Sequence, residues 1–158
     1  MSENQSGDSG QFLTFVLCEE VFALDISKVC EVLDCADVTK VPQAPDYMRG
    51  VINLRGSVVP VVDMHCKFNL DPSDHTVNTC IIIIEVELDG ESTLVGAVAD
   101  SVREVVDLTP DQVVAAPRIG TKLNTEFIRG MGKHHDGFVI ILDIDRVFKG
   151  EEAENGGS

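Results

Sequence analysis

The sequence predicts an all-β fold in which two small barrels pack together, and three observations carry that expectation. The first is an internal repeat. Tyr47–Phe68 and Phe127–Phe148 align without a gap, with identities at Arg49/Arg129, Gly50/Gly130, Val59/Val139, Asp63/Asp143 and Phe68/Phe148. Average composition would give roughly one or two matches in such a window. An earlier block repeats as well, Val29-Cys30-Glu31-Val32-Leu33-Asp34 against Val102-Arg103-Glu104-Val105-Val106-Asp107. The second observation is spacing: short apolar runs bounded by turn signals recur at about 8–12-residue intervals, the pattern of a barrel or sandwich. The third is composition. Hydrophobic residues make up 44% of 158, but aromatics only 5% with no Trp, so the core is aliphatic, and its many Val and Ile residues favour strands.

Taken in order, Phe12–Leu17 and Val21–Ile26 flank Cys18-Glu19-Glu20 as a hairpin. Lys28–Asp34 alternates, with Val29, Glu31 and Leu33 on one face and Cys30 and Val32 on the other; a strand is expected, although so short a run also suits a helix. Ala44–Gly50 is expected to form a short helical turn, with Pro45 at its first position and Gly50 just past its end. Val51–Leu54 and Val58–Val62 are strands joined at Arg55-Gly56-Ser57, and Pro60 places the second at an edge or a bulge, because proline has no N–H for the ladder. After a loop over Asn69–Asn78, Thr79–Leu88 meets Ser92–Ala99 across Asp89-Gly90, a strong hairpin signal. Val102–Leu108 echoes the Val29 strand, Thr109-Pro110 starts a brief helical turn, and Phe127–His134 with Phe138–Leu142 forms a last hairpin before a short helix over Asp143–Phe148. Val58, Val59, Val61 and Val62, with Ile81–Ile84, are the expected central core strands.

A chain of this length forms one domain, or two small lobes sharing a core. Twelve Lys and Arg against twenty-seven Asp and Glu give a net charge of −15, which argues against nucleic-acid or anionic-membrane binding, since both need basic surface. Five cysteines without a C-x-x-C pair, and a polar stretch from Ser2 to Gln11 in place of a signal segment, favour reduced thiols in the cytoplasm. The longest apolar run, Cys80–Ile84, is far below the ~20 residues of a membrane helix, so no direct membrane insertion is expected. Residues 1–10 and 151–158 are expected to be disordered tails, the second acidic through Glu151, Glu152 and Glu154.

Catalytic and metal-binding readings are poor. No nucleophile elbow, H-E-x-x-H or phosphate loop is present. Asp143-Ile144-Asp145 lacks the other ligands of a calcium loop, and His65, Cys66, His75 and Cys80 fit no compact zinc knuckle. Neither an enzyme nor a cofactor or metal is expected. At the tips of the repeated hairpins the halves diverge, Asn53-Leu54-Arg55-Gly56 against Lys133-His134-His135-Asp136. Arg55 is either a solvated turn residue or a rigidly presented guanidinium that forks onto a partner's carboxylate or carbonyls. Glu31 is either edge protection or part of a mixed polar–apolar binding strip.

The stretch V-P-Q-A-P-D-Y-M-R-G-V-I-N-L-R-G-S-V-V-P-V-V-D-M, followed by V-G-A-V-A-D-S-V-R-E-V-V-D-L, resembles the CheW-type coupling proteins of bacterial chemotaxis over roughly Gln11–Gly150. The resemblance implies two five-stranded SH3-like barrels around a shared hydrophobic core, in halves of about 11–70 and 76–150 between which strands are open to exchange. It also implies a non-enzymatic adaptor in the cytoplasm, recruited to membrane-associated arrays, whose partners are chemoreceptor tips and the regulatory domain of the histidine kinase CheA. Carried over by motif, the receptor groove would use Val29, Glu31, Gly50, Arg55, Val102 and Val105, with Gly50 serving geometry more than contact. The cysteines and His134-His135 fall outside the family pattern. A small β-barrel sensor of a metabolite or redox signal, working through Cys30 and Cys35, stays open as the second class.

Overall fold

A computed structural model describes residues 10–34, 38–45, 47–67, 79–88, 90–115, 127–134 and 137–148. The expected tails lie outside the described residues except Gly10, which is already strand, and so do the Asn69–Asn78 loop, Cys35 and His135-Asp136. Eleven strands are described: β1 Gly10–Leu17, β2 Glu20–Asp25, β3 Val29–Asp34, β4 Met48–Leu54, β5 Ser57–Asp63, β6 Cys80–Leu88, β7 Glu91–Ala99, β8 Ser101–Leu108, β9 Val113–Val114, β10 Ile128–His134 and β11 Gly137–Leu142. A one-turn helix, α1 (Met64–Lys67), follows β5, and residues 144–148 (α2) are helical after β11. Of the helical turn expected over Ala44–Gly50, one closing hydrogen bond is described, Asp46 lies outside the described residues, and the last three residues are strand. Met48 donates to the Pro45 carbonyl at 3.0 Å, but Met48–Gly50 are already strand, because they pair with the end of β5.

The strands form two mixed sheets, the two SH3-like barrels. One has the order β3-β6-β7-β5-β4 and the other β8-β1-β2-β11-β10-β9. The second has six strands rather than five because the two-residue β9 pairs along its edge. Each repeat consists of a hairpin, a lone strand and a second hairpin, and the first hairpins are exchanged. The central barrel takes β3 and β4–β5 from the first repeat but β6–β7 from the second. The terminal barrel joins β8 and β10–β11 to β1–β2 at the start of the chain. The exchange is closed by equivalent parallel contacts, Val61↔Gly96 in one barrel and Ile141↔Ala23 in the other.

The repeat holds at the level of single residues. β4 and β10 have the same burial pattern, and both carry a bulge one residue before the repeated glycine. Behind each bulge the aspartate N–H returns to an aromatic residue's carbonyl, Asp63 to Tyr47 at 2.6 Å and Asp143 to Phe127 at 2.8 Å. The β4–β5 turn has two residues with positive φ, Arg55 at 52° and Gly56 at 90°, the mirror-image turn that matches strand twist. Counting from that turn, Pro60 lies in a pair that makes no hydrogen bonds to β4, and β7 joins only at Val61, so the missing N–H leaves no gap in the ladder.

Three apolar clusters follow from strand alternation. Ile52, Val59, Val61, Ile81, Ile83 and Val98 fill the central barrel, and Phe12, Ala23, Val106, Leu108, Val139 and Ile141 fill the terminal one. Between them, Leu13, Phe15, Phe22, Leu24, Ile82, Ile84, Val86, Leu142 and others from both sheets form a shared core. β6 is therefore buried on both faces, which explains its unbroken Ile81–Ile84 run. Val58 departs from expectation. It is 71% exposed, because the hairpin tip projects past the packed layer before burial begins at Val59. Val58→Ala should therefore change stability by no more than about 0.5 kcal/mol, as surface substitutions do. Val59→Ala should cost about 1–3 kcal/mol in a urea titration, because it leaves a cavity.

Candidate functional site

Two edge strands, β3 and β8, carry most of the residues expected to bind a partner. Both are interrupted by the same irregularity. Val29 and Val32 stand opposite Ile84 and Ile82, so three steps along β3 match two along β6; Val102 and Val105 stand opposite Phe15 and Leu13 in the same way. Each interval contains one extra residue, a β-bulge. In β8 the bulge is satisfied by the buried Thr14 hydroxyl, which donates to the Glu104 carbonyl at 2.6 Å and accepts from the Glu104 N–H at 3.0 Å.

The bulge corrects the simple alternation expected for Lys28–Asp34. Residues directly opposite one another share a face. Ile82, Ile84, Leu13 and Phe15 belong to the shared core, so Val29, Val32, Val102 and Val105 all lie on the shared-core side. Glu31, opposite Ile83, lies instead on the side of the central barrel's own interior with Leu33, and does not share a face with Val29. Val29 and Val102 are half-buried against the shared core, while Val32 and Val105 are 40% and 47% exposed. Straight alternation missed Val32. The signal was present, because Val32 and Val105 occupy the same place in the repeated block.

Arg55 and Glu31 are brought together. The guanidinium Nη2 donates to Glu31 Oε2 across the barrel mouth; the Arg55 side chain is 72% exposed and that of Glu31 27%. The turn that presents Arg55 is braced by the Gly56 N–H donating to Asn53 Oδ1 at 2.9 Å. The other barrel makes a related contact from one position earlier, since His134 repeats Leu54, and His135, which repeats Arg55, lies outside the described residues. Glu104, the repeat equivalent of Glu31, lies 3.2 Å from His134 Nε2 at the β10–β11 tip. One tip thus sets a guanidinium and the other an imidazole ring against the equivalent glutamates. Among the exposed large apolar residues, Val58 and Phe138 (53% exposed) also occupy equivalent positions of the two hairpins.

Gly50 is buried and presents no side chain. Its φ is +146°, and a Cβ placed there would meet the Thr39 carbonyl group and come within 2.8 Å of Val38 Cγ1. The close approach is needed because Thr39 pairs with Val51 in both directions, at 2.9 and 2.8 Å. Gly50 shapes the backbone.

No group of His, Cys, Asp or Glu among the described residues is arranged to hold a metal ion. Cys30 is exposed, but its thiol is pushed above the ordinary value by partial burial and by the negative charges of Glu85 and Glu31. The thiolate is the reactive form, so this environment works against a redox role; Cys35 lies outside the described residues. No helix among the described residues is long and apolar enough to cross a membrane.

The family model for the CheW-like domain matches residues 11–152. The chain is 35% identical over 142 residues to the chemotaxis protein CheW of Klebsiella aerogenes, covering 90% of this chain and 83% of that protein. It is 29% identical over 149 residues to CheW of Treponema pallidum, covering 91% and 85%. Among solved structures, the scaffolding protein TtCheW from Thermoanaerobacter tengcongensis superposes with a TM-score of 0.79 at 30% identity, over 94% of both chains.

Proposed function

The chain belongs to the CheW-like domain family of chemotaxis scaffold proteins, and from that premise we propose that it is a non-enzymatic adaptor coupling chemoreceptor tips to the histidine kinase CheA. The observation that carries this reading is the pair of apolar edges, Val29 with Val32 and Val102 with Val105, which extend the shared core to the surface from both barrels. Such a strip suits the apolar face of a helix, with its anchors at helical spacing. The Arg55–Glu31 pair at the barrel mouth adds a forked donor and an acceptor for polar groups beside that helix. The adaptor works in the cytoplasm and is recruited to receptor arrays at the membrane through this contact, with CheA's regulatory domain as its second partner.

The test is receptor-dependent CheA autophosphorylation, measured beside a melting curve for each variant. Arg55→Ala and Glu31→Lys break a mostly solvated ion pair, and such pairs contribute little to stability. A contact desolvated by a partner can be worth about 2 kcal/mol or more, roughly a thirtyfold loss of affinity. Both variants, and Val32→Asp, should therefore lower kinase activation with little change in melting. Normal activation in all three would reject the adaptor surface. Activity falling only in step with melting would make these residues part of the scaffold.

A further inference from the structure

At the end of β5 a buried histidine lies between two carboxylates that belong to different parts of the fold. His65 Nδ1 is 2.9 Å from Asp63 Oδ1, and its Nε2 is 3.1 Å from Asp100 Oδ1. The His65 side chain is only 4% exposed, that of Asp63 8% and that of Asp100 23%. Asp63 also accepts from the His65 N–H at 2.9 Å and from Arg49 Nη1 at 3.1 Å. Asp100 sits at the β7–β8 corner, where the chain crosses from the central barrel to the terminal one. Its Oδ2 accepts from the Cys18 N–H at 2.8 Å. Cys18 and Glu19 form the β1–β2 turn with φ of 53° and 70°, a conformation that side chains other than glycine adopt reluctantly. A single run of hydrogen bonds therefore links Arg49, Asp63, His65, Asp100 and the strained Cys18 turn, and it spans both barrels.

The repeat supplies a comparison. Asp145 occupies the place of His65 in the second half, and Lys28 lies at the other crossover, between β2 and β3; they pair at 3.0 Å. Each crossover is thus pinned by one ion pair of opposite polarity. The Lys28–Asp145 pair joins a primary amine to a carboxylate, whereas the other sets an imidazole between two carboxylates.

We propose that His65 is a pH-responsive pin between the barrels, closed when the imidazole is protonated and released at the β7–β8 crossover when it is neutral. Only the imidazolium has a donor on both ring nitrogens, and both face carboxylate oxygens. On deprotonation one nitrogen becomes an acceptor pointing at an oxygen. Asp63 Oδ1 is held against the ring by the His65 backbone N–H and makes the stronger of the two ring contacts, so the neutral ring keeps its proton on the Asp63 side and the contact to Asp100 is the one that gives way. The hydrogen bond that the ring donates to Asp63, which outweighs the opposing cost of burial, and then the charge of Asp100 hold the His65 pKa above its ordinary value. Folded-state stabilisation from this group is therefore complete below about pH 6.5 and is lost as pH rises through the higher folded-state pKa. Asp63 sets the opposite limit. Burial pushes its pKa up, but the hydrogen bonds and charge of His65 and the bond from Arg49 outweigh this and hold it low, so its contribution is lost only as pH falls through a pKa below the usual carboxylate range.

The experiment is a proton–nitrogen NMR titration of the full chain from about pH 6 to about pH 9, with amide exchange read at Cys18 and Glu19 and corrected for intrinsic base catalysis. The expected result is that the His65 ring and the Cys18 amide shift with one common midpoint, and that protection at Cys18 drops roughly tenfold across it, as loss of one buried hydrogen bond implies. In Asp100→Asn the ring should still titrate, with a lower midpoint and without a matching change at Cys18. His65→Gln should abolish the pH dependence at Cys18; if that variant does not fold, Asp100→Asn decides alone. A Cys18 amide that does not follow the His65 ring, or that follows it equally in Asp100→Asn, overturns the proposal.

Discussion

Phe15→Ala is expected to cost about 3–5 kcal/mol of folding stability, the range for deleting a buried aromatic ring and leaving a cavity. Phe15 is 1% exposed, lies in the shared core and stacks on Phe22 with ring centroids 5.9 Å apart. It also stands opposite Val102, at the point where the β8 bulge begins. Losing the ring removes packing from the layer that both barrels share, so the two sheets should weaken together rather than one after the other. A denaturant titration followed by two probes, one in each barrel, checks this. The expected outcome is a coincident transition at a much lower midpoint. Separate transitions would mean that each barrel's own cluster is sufficient, and a midpoint like that of Val58→Ala would remove Phe15 from the core. A loss of this size is a large fraction of the total, since domains are stable by only about 5–15 kcal/mol.

Gly50→Ala should be nearly as damaging, at about 2–4 kcal/mol, and for a different reason. A left-handed φ strains any side chain, and here the added methyl meets a backbone carbonyl that is fixed by the Thr39–Val51 pair. The repeat-equivalent Gly130→Ala provides the control. Its Cβ would come 3.0 Å from the Val114 carbonyl oxygen and from Val113 Cγ1, a tight contact without a left-handed φ, and it should cost less than Gly50→Ala. Thermal melts of the two variants order them. Equal stability would show that the Thr39 segment moves aside freely. Any loss of partner binding in Gly50→Ala should track the loss of fold, in contrast to Arg55→Ala.

Much of this was legible in the sequence because its signals are local. The β4–β5 and β10–β11 hairpins, the helical turn after Thr109 and the repeated Arg-Gly pairs each depend on a few neighbouring residues. The Thr109 turn is a case in point: the Thr109 N–H donates to Gln112 Oε1 at 2.8 Å. The aliphatic run Ile81–Ile84 announced a strand buried on both faces. Where reading failed, the missing information was non-local. Ala44–Gly50 had the residues of a helical turn, but pairing with β5 takes Met48–Gly50 into strand. Val58 looked like its buried neighbours because nothing local shows where a packed layer ends.

The sequence by itself determined the all-β class, the duplication, the family and the candidate residues at the hairpin tip and on the two edge strands. It also placed Val32 and Val105 in equivalent positions of the repeated block. The tertiary structure alone decided which faces these residues share. A bulge of one residue in β3 moved Glu31 off the Val29 face and put Val32 on it, since side chains alternate with a period of two and one inserted residue inverts everything beyond it. It alone decided that the first hairpins are exchanged between repeats, because a strand's own residues favour a pleated, half-buried site without naming the partner that completes it.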